Sequence, residues 1–184
     1  MIKVTEEKKR IRKRIKLLKA SLSQQKRFKD SLLIFSEIEK EPNFINATKL
    51  LLYWSMDDEV FTHDFIQKWA PFKEIYLPVI NGNSLVLRQF TTIDKMKAES
   101  RFGIYEPQGK DFSNWNEIEY AIIPGVAFDI NNNRLGRGKG FYDRILNSIN
   151  AVKMGVCFDF QLIDNVPIEP TDIPMDKVMT TIKS

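Results

Sequence analysis

Glycine alternates with cations in R-L-G-R-G-K-G, residues 134–140. Glycine tolerates positive φ, so successive backbone N–H groups in such a run can turn inward and form a nest for an anion. Arg137 and Lys139 can add full charges to the same ligand. A helix expected to start near Phe141 would add the partial positive charge of its N-terminus. A loop with N–H donors, a guanidinium and an ammonium suits a polyphosphate. The run is not the phosphate loop G-x-x-x-x-G-K-[ST], because Gly140 and not a hydroxyl follows Lys139. Nor is it G-x-G-x-x-G, since the last glycine arrives one residue early. Asp143 falls in the first turn of the expected helix, where an acid complements the dipole. Beside phosphates it would also suit Mg²⁺, which takes one or two carboxylates plus phosphate oxygens. A plain tight connection is the other use of such glycines.

The elements that must hold this loop are legible as patterns. Residues 122–146 read strand, loop, helix, with the helix over 141–149. Ile11, Ile15, Leu18 and Leu22 recur at helical spacing, which predicts an amphipathic helix over about 5–20. Ser23 reads as the cap of a second helix, about 24–40, with Phe28, Leu32, Phe35 and Ile38 on one face and a stop at Pro42. The apolar run 49–54 (K-L-L-L-Y-W) reads as a buried strand. Thr62 is expected to cap a short helix ending before Pro71, with His63 an exposed polar residue in it. Residues 74–79 and 84–90 read as strands of a hairpin around Asn81-Gly82-Asn83. Apolar stretches over 119–123 and 152–158 complete the strands. Strands interleaved with helices predict a single α/β domain over residues 1–184, with a mostly parallel central sheet.

Composition narrows the field. The chain has 184 residues, 43% hydrophobic and 28% charged, with one histidine and one cysteine. That suits one globular domain. It leaves no disulfide framework, no Cys-rich zinc site and almost no room for a histidine metal cluster. No apolar run approaches the roughly 18 residues of a membrane span, and the N-terminus lacks the apolar core of a secretory signal. A cytoplasmic protein with no membrane partner is expected. Residues 1–30 carry twelve of the 28 basic residues and only three of the 24 acids. Such a helix can bind an anion or be a solvated charged face.

Several segments together resemble the 5-formyltetrahydrofolate cyclo-ligase (methenyltetrahydrofolate synthetase) family. They are K-K-R-I-R (8–12), S-M-D-D-E-V-F-T (55–62), F-G-I-Y-E-P (102–107), P-G-V-A-F-D (124–129) with R-L-G-R-G-K-G-F-Y-D (134–143), and T-D-I-P-M-D-K-V (171–178). The resemblance runs end to end and implies a three-layer α/β fold with Rossmann-like features. It implies conversion of 5-formyltetrahydrofolate to 5,10-methenyltetrahydrofolate with ATP as co-substrate, Mg²⁺, and release of ADP and phosphate. It places ATP along Lys8, Lys9, Arg10, Ile11 and Arg12, and along Arg134, Leu135, Gly136, Arg137, Gly138, Lys139, Gly140, Phe141 and Tyr142. Lys8 and Arg12, one helical turn apart, match the family's contacts, whereas Lys9, Arg10, Lys13 and Arg14 keep the solvated-face reading. Arg137 and Lys139 would stabilise the transferring phosphoryl group. Folate would meet Met56, Glu59, Phe102 and the stretch Arg137, Gly138, Lys139, Gly140, Phe141, with Glu59 accepting paired pterin N–H groups. Asp143 and Asp172 match the Mg²⁺ positions. Phe141 stands where the family commonly has tyrosine, which leaves stacking but no hydroxyl there.

Two rivals are defined by the same residues. A nucleic-acid-binding protein could use the basic helix, but that leaves 134–140 without a purpose, so no nucleic-acid partner is expected. Another ATP-dependent enzyme on the same scaffold would lack a use for Glu59. A monomer is expected.

Overall fold

A computed structural model describes residues 2–82, 84–98 and 105–181, apart from the side chain of Ile2. In chain order the elements are α1 (Ile2–Ala20), α2 (Gln24–Ile38), α3 (Pro42–Asn46), β1 (Lys49–Leu51), α4 (His63–Trp69), β2 (Glu74–Asn81) and β3 (Ser84–Phe90). The short β4 (Met96–Ala98), β5 (Tyr105–Pro107) and β6 (Asp111–Phe112) follow, then β7 (Tyr120–Pro124), β8 (Ala127–Asp129) and β9 (Arg134–Leu135). The chain closes with α5 (Phe141–Leu146), β10 (Val152–Val156), β11 (Leu162–Ile163) and β12 (Lys177–Met179).

Seven strands form the central sheet in the order β12-β10-β7-β1-β2-β3-β6. The first five are mutually parallel and the last two pair antiparallel, so the sheet is mostly parallel as expected. Alternation along the strands feeds two cores. Leu50, Ile75 and Ile122 pack with Ile34, Phe35 and Ile38 of α2, Phe44 of α3 and Phe65 and Ile66 of α4. Leu51, Tyr76, Ala121 and Ile123 pack on the other face with Ile145 and Leu146 of α5. Helices on both faces give the three layers. A small second sheet, β11-β8-β9, carries α1 through Ile11, Ile15, Ala127 and Leu135.

Phe128 of β8 joins the two sheets. A Cβ at Gly125 would stand 2.5 Å from one edge of its ring and a Cβ at Gly155 of β10 2.6 Å from the other. The ring therefore occupies a slot whose walls are two backbones that only glycine leaves open.

Several local expectations need correction. The buried face of α2 includes Phe35 and Ile38 as expected, but Arg27, Asp30, Ser31 and Ile34 complete it in place of Phe28 and Leu32, which are exposed. Its physical cause is Arg27, whose guanidinium donates to the carbonyls of Glu59 (2.7 Å) and Met56 (2.9 Å) and turns that side inward. Leu18 of α1 is also exposed. Ser23 does cap α2, accepting from the Lys26 N–H. Thr62 takes the N-cap position of α4 as expected, but its side chain makes no capping bond, because its hydroxyl donates to the Tyr53 carbonyl at 2.6 Å and accepts from the Ser55 N–H. The strand expected over 49–54 leaves the sheet after Leu51, and the helix expected to reach 149 ends at Leu146. The hairpin is present, with Asn81 opposite Ser84 and Gly82 at φ +61°.

Candidate active site

β1 is the switch point of the sheet. From it the chain first adds β2 on one side and later β7, β10 and β12 on the other. Ligands of open α/β sheets bind in the crevice beyond the carboxyl ends of strands at such a point. Here the segments leaving β1 and β7 supply Tyr53, Trp54, Met56 and Glu59, and Pro124 and Gly125, to the lining of a cavity of about 360 Å³. Pro78, Ile80 and Leu85 of the β2–β3 hairpin, with Glu106 of β5, add to its lining. Arg134 and every residue from Gly136 to Asp143 complete it. The expected polyphosphate loop and the expected folate carboxylate thus share one chamber.

The loop is shaped by its glycines. Gly138 has φ +98° and Gly140 φ +63°, both in the region that favours glycine. Gly140 is the left-handed residue before α5, and no side chain caps the helix start. The loop is tied to α1 by Arg12, whose Nε donates to the Gly136 carbonyl at 2.9 Å. Upstream, the buried carboxylate of Asp129 fixes the turn that launches the loop. It accepts from the N–H groups of Asn131, Asn133 and Val166 and from the Asn133 amide.

Charged groups around the cavity are tightly paired. Arg134, nearly buried, donates to Asp143 Oδ1 at 2.6 Å and lies over the Tyr142 ring, while its Nε has no partner. Arg137 donates to Asp58 at 2.7 Å and to Glu59 Oε1 at 2.9 Å. Burial would lower the Arg137 pKa, but Glu59 and Asp58 outweigh it and the net shift is upward. Glu59 Oε2 accepts the Met56 N–H at 3.0 Å. Burial and the nearby Glu59 push the Tyr142 phenol well above its ordinary value.

A neighbouring cluster lies against α1. Lys8 donates to Glu169 at 2.8 Å and to Asp172 at 2.5 Å. Burial opposes the charge on Lys8, yet the two acids raise its pKa overall. The Glu169 N–H is capped by Asp172. Asp172 and Lys8 are not part of the cavity lining.

A family model for the 5-formyltetrahydrofolate cyclo-ligase family matches residues 4–181. The chain belongs to that family. A 5-formyltetrahydrofolate cyclo-ligase of Haemophilus influenzae is 31% identical over 188 residues, covering 95% of this chain and 98% of that protein. The Escherichia coli K12 cyclo-ligase is 34% identical over 77% of this chain and 82% of its own. The NMR structure of the Aquifex aeolicus 5,10-methenyltetrahydrofolate synthetase superposes with a TM-score of 0.86 at 32% identity, covering 96% of this chain and 90% of that one.

In this cyclo-ligase family chain most of the residues expected at the site lie together. Met56, Glu59, Arg134, Gly136, Arg137, Gly138, Lys139, Gly140, Phe141, Tyr142 and Asp143 all line the cavity. Ile11 and Leu135 have side chains in the core against the small sheet, so only their backbone can serve a ligand. Lys9 and Arg10 are exposed and lie beside Glu6 and Glu7, in keeping with a solvated face. Phe102 lies outside the described residues. Sequence reasoning missed Tyr53, Trp54 and Glu106. The first two sit in a run that reads as core strand, and their signal is that β1 is short and ends at the crevice. Glu106 is buried and accepts the Ile80 N–H at 2.9 Å. His63 is not an exposed polar residue. It stacks on Trp54 with ring centroids 3.8 Å apart and Nε2 3.0 Å from the Ser55 carbonyl.

Proposed function

We infer that this chain converts 5-formyltetrahydrofolate and ATP to 5,10-methenyltetrahydrofolate, ADP and phosphate. The observation that carries the reading is one cavity lined both by Glu59 with its aromatic and apolar neighbours and by the glycine loop with Arg137 and Lys139. The apolar part suits a flat pterin, and Glu59 can accept its paired N–H groups.

A formamide is a poor electrophile because its nitrogen lone pair is delocalised into the carbonyl. Transfer of the γ-phosphoryl group to the formyl oxygen forms an O–P bond and breaks the bond to ADP. The substrate nitrogen at position 10 then attacks the formyl carbon and releases its proton to solvent, the ring closes, and the C–O bond breaks with loss of phosphate. Such transfer depends on positioning and charge neutralisation more than on a protein nucleophile. Loop N–H groups hold the phosphates, Lys139 and Arg137 meet the charge on the group in flight, and Arg12 steadies the loop through Gly136. Lys8 of the adjoining cluster is the second α1 cation assigned to the nucleotide.

Asp143 is the cavity carboxylate assigned to Mg²⁺, with Asp172 the second, beyond the lining. Asp143 in the lining suits Mg²⁺, which takes one or two carboxylates and draws its remaining ligands from phosphate and water, but Arg134 holds its Oδ1 and Asp172 is engaged by Lys8, so both carboxylates would have to share with a cation. When bound, the ion would neutralise phosphate charge. The test is purified protein with ATP, Mg²⁺ and 5-formyltetrahydrofolate, followed by absorbance of the methenyl product. Absence of product, or full activity in excess chelator, would sink the reaction or the metal assignment respectively.

A further inference from the structure

Two charged residues beside the cavity have no part in the reaction just described. Lys19 sits on α1 with its side chain only 7% exposed, and Asp58 lies next to Glu59. Neither lines the chamber. Asp58 uses both carboxylate oxygens on protein cations. Its Oδ1 accepts from Arg137 at 2.7 Å and its Oδ2 from Lys19 Nζ at 3.1 Å. Glu59 takes the same Arg137 guanidinium from a second direction, at 2.9 and 3.3 Å. The four groups form an alternating row, Lys19⁺, Asp58⁻, Arg137⁺, Glu59⁻. It runs from the buried side of α1 to the cavity.

The row meets a conflict when substrate enters. Glu59 Oε1 already accepts from two nitrogens of Arg137, so it cannot keep both contacts and also accept a pterin N–H, while Oε2 holds the Met56 N–H and has one lone pair left for the other. Arg137 must yield ground on Oε1. It is a long, exposed side chain on a glycine-flanked loop, so without a second anchor it would move into solvent. Asp58 is that anchor, and Lys19 keeps its carboxylate from swinging out after the arginine. Burial lowers the pKa of Lys19, and the nearby Asp58 and Glu59 oppose that shift. Asp58 answers in kind: burial disfavours its charge, but Lys19 and Arg137 draw its pKa below the usual carboxylate value.

Resting on the cyclo-ligase reading, the geometry points to Asp58 as a positioning residue that holds the Arg137 guanidinium at the cavity mouth while Glu59 turns to the substrate, with Lys19 as its buttress. Asp58 itself touches neither substrate. The prediction is therefore a loss that exists only while Arg137 is present.

The experiment is a double-mutant cycle on the full chain, comparing wild type, Asp58→Asn, Arg137→Ala and the double variant by steady-state turnover and thermal melting. A charge-assisted contact is worth roughly tenfold in rate, so Asp58→Asn should lower kcat by about that factor. The Michaelis constant for 5-formyltetrahydrofolate should move far less. In the Arg137→Ala background the same substitution should change kcat by less than about twofold, the signature of acting through one partner. If Asp58→Asn fails to fold, Lys19→Met removes the other end of the bridge with an apolar side chain of similar length. It should lower kcat in the same Arg137-dependent way. Wild-type kcat for both variants, or equal losses with and without Arg137, would overturn the assignment while leaving the cyclo-ligase reading intact. A wild-type protein that forms no methenyl product would overturn both.

Discussion

Lys139 stands between Gly138 and Gly140, where left-handed backbone brings the main chain close to any bound phosphate. In the proposed reaction loop N–H groups and the α1 cations would oppose the ground-state charge, so the distinct share of Lys139 should appear as charge redistributes during transfer. Interactions that strengthen in the transition state lower turnover when removed. Lys139→Ala should cut kcat roughly 100- to 1000-fold, the usual cost of one such electrostatic contact. The Michaelis constant for ATP should change much less. Lys139→Arg should rescue only in part, since a planar guanidinium needs more room. Steady-state kinetics of the three proteins decide it, and unaltered kcat with weaker ATP binding would mean a uniform-binding lysine. A second residue can be followed without turnover. His63 is the only histidine, and burial against Trp54 lowers its pKa below 6.5 despite the Ser55 carbonyl. A depressed folded pKa means the unfolded chain binds the proton first. Stability from this residue is thus full above pH 6.5 and is lost as pH falls through the folded value. The single imidazole resonance should titrate with a midpoint under 6.5. The denaturation midpoint should drop between about pH 7 and pH 5, with a shallower drop in His63→Gln. A midpoint above 6.5 would contradict this.

The elements make their contribution through where they end. Asp129 at the end of β8 gathers four N–H donors, two on each oxygen. Asp129→Asn would aim an NH₂ at two of those donors whichever way the amide turned. It should cost about 2–4 kcal/mol, the penalty for buried unsatisfied donors, read as a lower urea midpoint. A change under about 0.5 kcal/mol would show that the turn holds itself. Arg12 links α1 directly to the loop backbone at Gly136. Arg12→Met should therefore weaken ATP binding about tenfold and folate binding little, by titration of each ligand; equal losses would make Arg12 a general brace. These same elements show what a sequence can and cannot disclose. The parallel strands, the hairpin at Gly82 and the glycine loop were legible because periodicity and turn residues are local signals. The full face of α2 was not, because Arg27 is drawn inward by carbonyls of Met56 and Glu59, partners 29 and 32 residues away. Likewise Thr62 is a standard cap residue by type, yet a carbonyl at Tyr53 claims its hydroxyl. In the site, Glu59 and the loop residues were readable from motif, while Asp58, Tyr53 and Trp54 acquire meaning only once β1 is seen to stop at the crevice.

At the scale of the whole molecule, the chamber lies where two sheets meet, and the residue that joins them is Phe128, fully buried between Gly125 and Gly155. Gly155→Ala would place a methyl 2.6 Å from the ring and 3.0 Å from Met175. Overpacking of this kind typically costs about 1–3 kcal/mol. Thermal melting should register it, and an unchanged midpoint would mean that the slot yields enough to take a methyl group. The slot also bears on time. A benzene ring must push aside the atoms over its two faces to turn by half a revolution, and the fully buried Phe128 has close-packed neighbours there. Gly125 belongs to the chamber lining and Gly155 to a central strand, so the ring can rotate only when the junction beneath the chamber momentarily dilates. The two sides of the Phe128 ring should accordingly give separate NMR signals that coalesce on warming, and the coalescence temperature would report how often the ground under the substrates opens.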